Sequence, residues 1–205
     1  MSYFERMSTN ALSPEALATL FTEARTHSFY RDEPVSDELL RRIWDVARMG
    51  PTAMNMGSLR VAFVRTEEAR QKLLPAVAAG NVDKVKSAKV TAIFAYDLDF
   101  HEKLPKLFAH SPGARERFAD QSEEARAVPS RTNALLGAAY FMMAARAHGL
   151  DCGPMGGFDA KKVDEEFFAG TKLRSLFLCN LGYGDASKLF PRQPRLEFEE
   201  ACTLL

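Results

Sequence analysis

The stretch Gly149-Leu150-Asp151-Cys152-Gly153-Pro154-Met155-Gly156-Gly157-Phe158-Asp159 constrains this chain more than any other. It separates two helical patterns, at 133–148 and 160–168. Three glycines and a proline in positions 153–157 predict no regular element there and let the backbone come very close to something flat. Gly149 reads as a helix C-cap and Asp159 as an N-cap. Two readings stay open on this segment alone. One is a helix–helix turn; the other is a backbone platform whose N–H groups face a planar cofactor.

The rest of the chain supplies a core for such a segment. With 205 residues, 46% hydrophobic and 26% charged, it has the size and composition of one globular domain. Its 27 basic and 27 acidic residues balance, with no basic block, so nucleic-acid and membrane-surface partners are not expected. No apolar run reaches membrane-spanning length. Met1-Ser2-Tyr3-Phe4-Glu5-Arg6 lacks the apolar centre of a signal peptide. Cys152, Cys179 and Cys202 are odd in number and have no metal-type spacing, which fits a reduced, cytoplasmic protein. His27, His101, His110 and His148 are scattered, so no metal site is expected.

Helical patterns are expected at 15–25, with Leu17, Leu20 and Phe21 on one face, and at 37–49, with Leu39, Leu40, Ile43, Trp44 and Ala47 inward. Further helices are expected at 67–78 and 81–87, and strands at 60–64, 90–96 and 173–181. The strand at 90–96 is continuously apolar and so buried on both faces. Positions 97–129 are polar and broken by Pro105 and Pro112, which predicts short peripheral helices. The helix at 132–148 is apolar nearly all round, so it is buried in the core or against a second subunit. A tail at 184–205 ends in a short helix opening at Phe198. The sum is an α+β fold in a single domain.

Taken singly, the candidate motifs are weak. Gly182-Tyr183-Gly184 follows a strand, but Ser187 takes the third glycine position and Pro191 blocks the next helix, so a Rossmann site is rejected. Arg25, Arg192 and Arg195 are each a solvated charge or, together, a phosphate clamp. Thr52 and Asn55 in Pro51-Thr52-Ala53-Met54-Asn55 suit the polar rim of a heterocycle or merely their own backbone. No nucleophile–base arrangement is present: His148 and Cys152 straddle a glycine turn and read as structural.

In their order along the chain these segments resemble the flavin-dependent nitroreductase superfamily. The resemblance implies that Arg25-Thr26-His27-Ser28 binds the FMN phosphate and that Pro51, Thr52, Ala53 and Asn55 meet the flavin. It places Pro154-Met155-Gly156-Gly157 under the isoalloxazine, and has Arg192 and Arg195 close on the phosphate. Ser28 stands where an arginine or lysine is usual, and Gly57-Ser58-Leu59 where Gln-Pro-Trp is common. The implied fold is a sandwich with a central, mainly antiparallel sheet, helices on both faces, and an intertwined dimer with FMN at the subunit interface.

Segments such as Gly80-Asn81, Leu104-Pro105 with Leu107-Phe108, Gly153-Pro154-Met155 with Gly157-Phe158-Asp159, and Phe198-Glu199-Glu200-Ala201-Cys202 are similar to the malonic semialdehyde reductase (RutE-like) subgroup of pyrimidine degradation. That implies reduction of malonic semialdehyde to 3-hydroxypropionate by hydride transfer through flavin N5, with the backbone at Met155 and Gly156 near N5. NADH or NADPH is the donor, and His101, Lys106 or His110 meets the acceptor carboxylate. A general nitro or quinone reductase on the same flavin, and a flavin-binding module without turnover, are the rival readings.

Overall fold

The computed structural model describes residues 11–205; the residues at 1–6 discussed above lie outside them. Its helices are α1 (Pro14–Leu17), α2 (Asp37–Ala47), α3 (Glu67–Leu73), α4 (Ala79–Ser87), α5 (Leu104–Leu107), α6 (Glu116–Ala119), α7 (Glu123–Ala147), α8 (Ala160–Phe167) and α9 (Phe198–Ala201). The strands are β1 (Leu59–Val64), β2 (Val90–Asp97), β3 (Asp151–Met155) and β4 (Leu173–Gly182). They form one antiparallel sheet in the order β1-β2-β4-β3.

Alternation along the central strand sorts the two layers. Val90, Ala92 and Phe94 face the α2/α7 layer and pack with Leu40, Ile43, Ala138 and Phe141. Ile93 and Ala95 face the other side, with Leu73, Val85, Val163 and Leu178 from α3, α4, α8 and β4. This period of two on a strand buried on both faces gives the near-continuous apolar run seen in the sequence. Helix starts follow from single hydroxyls and a carboxylate: Ser36 Oγ accepts from Leu39 N (3.1 Å) and Asp159 Oδ1 from Lys162 N (3.2 Å).

Four expectations need correction. The segment expected to hold no regular element contains β3, because Pro154 lies on an edge strand that needs only one ladder partner. Gly153 is there for close approach: a Cβ on it would overlap the His27 carbonyl oxygen and sit 2.5 Å from the Tyr30 hydroxyl. The first helix is cut to α1 and a π-helical turn, Ala18–Thr22, with Leu17 and Phe21 exposed rather than inward. Trp44 on α2 is likewise more than a third exposed.

The last correction concerns 97–129. Helix α7 runs for 25 residues and passes through Pro129, which was expected to lie before it. Pro129 removes one helical donor, and side-chain bonds, one within the helix and two to other elements, hold the same turn. Asn133 Nδ2 donates to Pro129 O (2.9 Å), Ser130 Oγ to Asp97 O (2.6 Å), and Ser58 Oγ to Ser130 O (2.7 Å). The excursion before α7 has a small core of its own, Phe100, Leu104 and Ala114, into which Met56 is inserted.

Gly153→Ala is expected to cost about 1–3 kcal/mol through backbone overpacking, measured by urea unfolding. Gly80→Ala, on α4 with nothing within 4 Å of the added carbon, is expected to be neutral or to stabilise by up to about 1 kcal/mol. Equal effects at the two positions would contradict the close approach at β3.

Candidate active site

The outer edge of β3 organises the site. Backbone groups of a strand point alternately to its two edges. Cys152 uses its outward carbonyl to accept from His27 N (3.2 Å), and Thr26 bridges to the same residue. Two residues on, Pro154 turns the same way, and Gly156 lies just past the end of the strand. Pro154 has no N–H. The Gly156 N–H has no hydrogen-bond partner among the described residues, and nothing lies within 4 Å of where its Cβ would be. A free donor beside open space is what a planar acceptor requires. Gly157 serves packing instead: a Cβ there would meet Asn81 Nδ2 at 2.7 Å, and its carbonyl accepts from Asn81 Nδ2 (3.1 Å) and Ala78 N (3.0 Å).

Polar struts fix this edge. Tyr30 is buried and its hydroxyl lies 3.2 Å from both the His27 and the Asn180 carbonyl oxygens. Burial, reinforced by Cys179, Cys152 and Asp151, pushes the Tyr30 hydroxyl far above its ordinary value, so it stays a neutral donor. The His27 ring is turned inward: Nε2 is 3.5 Å from Asp151 Oδ1, and a Cβ on Gly184 would overlap the imidazole. Asp151 Oδ2 in turn accepts from Gly184 N (2.8 Å). Cys179 is buried beside Cys152, and their hydrogen bond together with burial raises the Cys179 thiol, which removes it as a nucleophile.

At the start of this edge lies a cavity of about 510 Å³ lined by Thr26, Phe190 and the arginines Arg25, Arg146, Arg192 and Arg195. No carboxylate lines it. Arg25 donates through Nη2 to the Phe190 carbonyl and Arg192 Nη2 to the Ala24 carbonyl (3.3 Å), which ties the C-terminal segment to the residues after α1. Arg195 bonds the Gln193 and Pro194 carbonyls at 3.0 Å. The three arginines singled out from sequence thus share one cavity with Thr26. His27 and Ser28 do not line it; the Ser28 carbonyl accepts from Ser87 Oγ (3.4 Å). Arg146 was missed, although it is the only charged residue in the stretch 133–147.

Thr52 and Asn55 line a different cavity, of about 330 Å³, with Asn133, Tyr140 and Leu107, and the two cavities have no residue in common. The loop between them is held tightly. Asn133 Oδ1 accepts from Ala53 N (2.7 Å), Tyr140 OH donates to Pro51 O (3.0 Å), and Asn55 Nδ2 donates to Leu107 O (2.8 Å). Met54 and Asn55 both have positive φ, 54° and 47°. Two successive non-glycine residues in this region store strain, a feature that concentrates at functional sites.

Beside that loop runs a groove lined by Trp44, Arg60, Phe63, Lys103 and Lys106. Of the three side chains proposed for a substrate carboxylate, Lys106 is on this groove. His101 is 5% exposed against Phe100. His110 is exposed and stacks on Phe108 at 4.1 Å between ring centroids.

The residues fit a flavin mononucleotide on two observations: an all-cationic cavity for a dianion, and an unpartnered N–H next to open space farther along the same strand edge. Comparison with known proteins agrees. The pattern of the Nitroreductase family matches residues 22–183. A relative from Leptothrix cholodnii, named as an NADH dehydrogenase/NAD(P)H nitroreductase, is 56% identical over 197 residues, 96% of this chain and 100% of its own. Among solved structures, the nitroreductase ydfN of Bacillus subtilis superposes with a TM-score of 0.81 at 21% identity, covering 93% of this chain and 99% of its own. A nitroreductase from Exiguobacterium sibiricum solved in complex with FMN gives 0.80 at 18% identity, covering 97% and 100%. The chain belongs to the nitroreductase family.

Proposed function

We propose that this chain is an FMN-dependent NAD(P)H oxidoreductase whose acceptor is a small carboxylate-bearing aldehyde, with malonic semialdehyde, reduced to 3-hydroxypropionate, as the specific case. The observation that carries the reading is the shared edge of β3, with Thr26 and the arginine cavity at one end and the free Gly156 N–H at the other. Bound there, FMN would supply the hydride chemistry between the nicotinamide and the acceptor. Arg25, Arg192 and Arg195 hold the phosphate by charge-assisted bonds. The Gly156 N–H would favour the electron-rich form of the ring without any titrating side chain, whereas Met155, one position on from the outward-turned Pro154, faces its N–H to β4. Lys103 and Lys106, with Arg60 behind them, offer the charge that an acceptor carboxylate seeks. Arg60 is already paired to Asp97 at 2.6 Å, which leaves the two lysines as the available cations.

The same reading has two copies of the chain completing one site. Thr52 and Asn55 do not share the arginine cavity, and apolar side chains on neighbouring surfaces are bare. Met49 is 77% exposed, and Leu135 and Leu136 on α7 are 43% and 42% exposed. A second copy burying those side chains brings the strained loop of one subunit to the β3 edge of the other. A second reading, a general nitro or quinone reductase on the same flavin, is favoured by the name of the Leptothrix relative. It differs only in the acceptor.

The purified protein is expected to show the twin visible bands of a flavin and to bleach anaerobically with NADH or NADPH. A colourless protein that takes up no FMN overturns the reading.

Gly156→Leu is expected to leave unfolding free energy within about 0.5 kcal/mol, because the space beside it is open, yet to abolish FMN uptake. Normal uptake by that variant removes the Gly156 N–H from the flavin site.

Lys103→Met with Lys106→Met is expected to raise KM for malonic semialdehyde about tenfold or more while leaving a neutral nitroaromatic unchanged. Equal KM changes for both acceptors, or none, favour the general reductase.

A further inference from the structure

Arg146 is a charge without a counter-charge. It projects from the last turn of α7, an otherwise uncharged stretch of alanine, leucine, methionine and aromatic residues. Its Nη1 donates to the Leu20 carbonyl (2.9 Å), across to the π-helical turn that follows α1. Its Nε is buried and has no hydrogen-bond partner. Among the described residues no carboxylate pairs with it, and none lines the cavity it enters.

Arginine at a helix C-terminus often compensates the helix dipole by bonding the last carbonyls. Here those carbonyls are taken by backbone. His148 N donates to Ala144 O and Ala145 O (both 3.1 Å), Leu150 N to Ala145 O (2.9 Å) and Gly149 N to Arg146 O (2.9 Å). The guanidinium goes instead to the cavity that already holds Arg25, Arg192 and Arg195. A part-buried cation beside three others is repelled and poorly solvated, a cost that persists unless an anion enters.

We propose that Arg146 is a fourth ligand of the anion in this cavity, and that the anion is a phosphate monoester. Arg25, Arg192 and Arg195 come from segments outside the regular elements, the stretch after α1 and the C-terminal tail. Arg146 is carried on a long core helix and bonded to the Leu20 carbonyl, so it adds a contact from the core side of the cavity. The inference rests on the reading of the cavity as the FMN phosphate site. It goes beyond it by assigning a core-helix residue to that site and by making phosphate, not the ring, the source of preference for FMN over riboflavin.

The test compares wild type, Arg146→Met (similar volume, no charge) and Arg146→Lys. Dissociation constants are measured for FMN and for riboflavin by fluorescence quenching, and melting temperature is followed with and without inorganic phosphate. Wild type is expected to prefer FMN, and inorganic phosphate is expected to raise its melting temperature and compete with FMN but not with riboflavin. Arg146→Met is expected to weaken FMN about ten- to a hundredfold, to leave riboflavin unchanged, and to lose most of the phosphate-induced rise. Arg146→Lys is expected to recover part of both. FMN and riboflavin weakened alike in Arg146→Met would assign Arg146 to structure only, and unchanged FMN affinity would remove it from the site. If Arg146→Met does not fold, Arg146→Lys decides by the same two ratios. A wild type that binds no flavin at all overturns the functional reading itself, and the inference with it.

Discussion

The docking of Thr26 and His27 on the outer edge of β3 is the contact on which the rest of the site depends. It replaces a missing strand: the His27 N–H caps the Cys152 carbonyl, and beyond Cys152 the edge is left open. An uncovered edge elsewhere would invite aggregation; here Pro154 shortens it and one N–H is kept free. The contact is possible only because glycine stands at 153, and it is clamped by Tyr30, whose neutral hydroxyl spans the His27 and Asn180 carbonyls. Asp151 adds a second clamp, holding the His27 ring and the Gly184 N–H together. Through this junction the residues after α1, the end of α7 and the C-terminal tail converge, and four arginines from three parts of the chain meet.

Much of the fold is legible in the sequence because burial and capping are local signals. The run 90–96 announces a two-sided strand, and Ser36 and Asp159 announce helix starts. What the sequence hides is where tertiary context reverses a local preference. Proline and glycine at 153–157 argue against a strand, yet an edge strand needs few donors and this one needs a glycine. Pro129 argues against a helix interior, yet side-chain bonds of Ser58, Ser130 and Asn133 hold that turn. Leu17 and Phe21 have helical spacing but no core opposite them.

The site shows the same division. Arg25 lies more than 160 residues from Arg192 and Arg195 in sequence, and only the order of motifs along the chain suggested that they meet. Arg146 gave a purely physical signal, one charge in the apolar stretch 133–147, that carries meaning only once it is known that no carboxylate among the described residues lines its cavity. His27, two residues after Arg25 in sequence, does not line the cavity, because its ring is turned to Asp151 and packs under Gly184.

The excursion at 97–129 has its explanation in the loop it supports. Met54 and Asn55 occupy left-handed backbone that costs on the order of 1–3 kcal/mol per residue unless the surroundings impose it. The surroundings do so from both ends. Asn133 and Tyr140 on α7 hold Pro51 and Ala53, while the Leu107 carbonyl at the end of α5 takes the Asn55 amide. Met56 is sunk into the small core of Phe100, Leu104 and Ala114, and Met54 packs against it. That core has no contact role in the main sheet layers, whose clusters contain none of its residues. Its apolar residues sit in a polar stretch because they hold one strained loop in place. The loop in turn sets the direction of Thr52 and Asn55, which line the cavity shared with Asn133 and Tyr140.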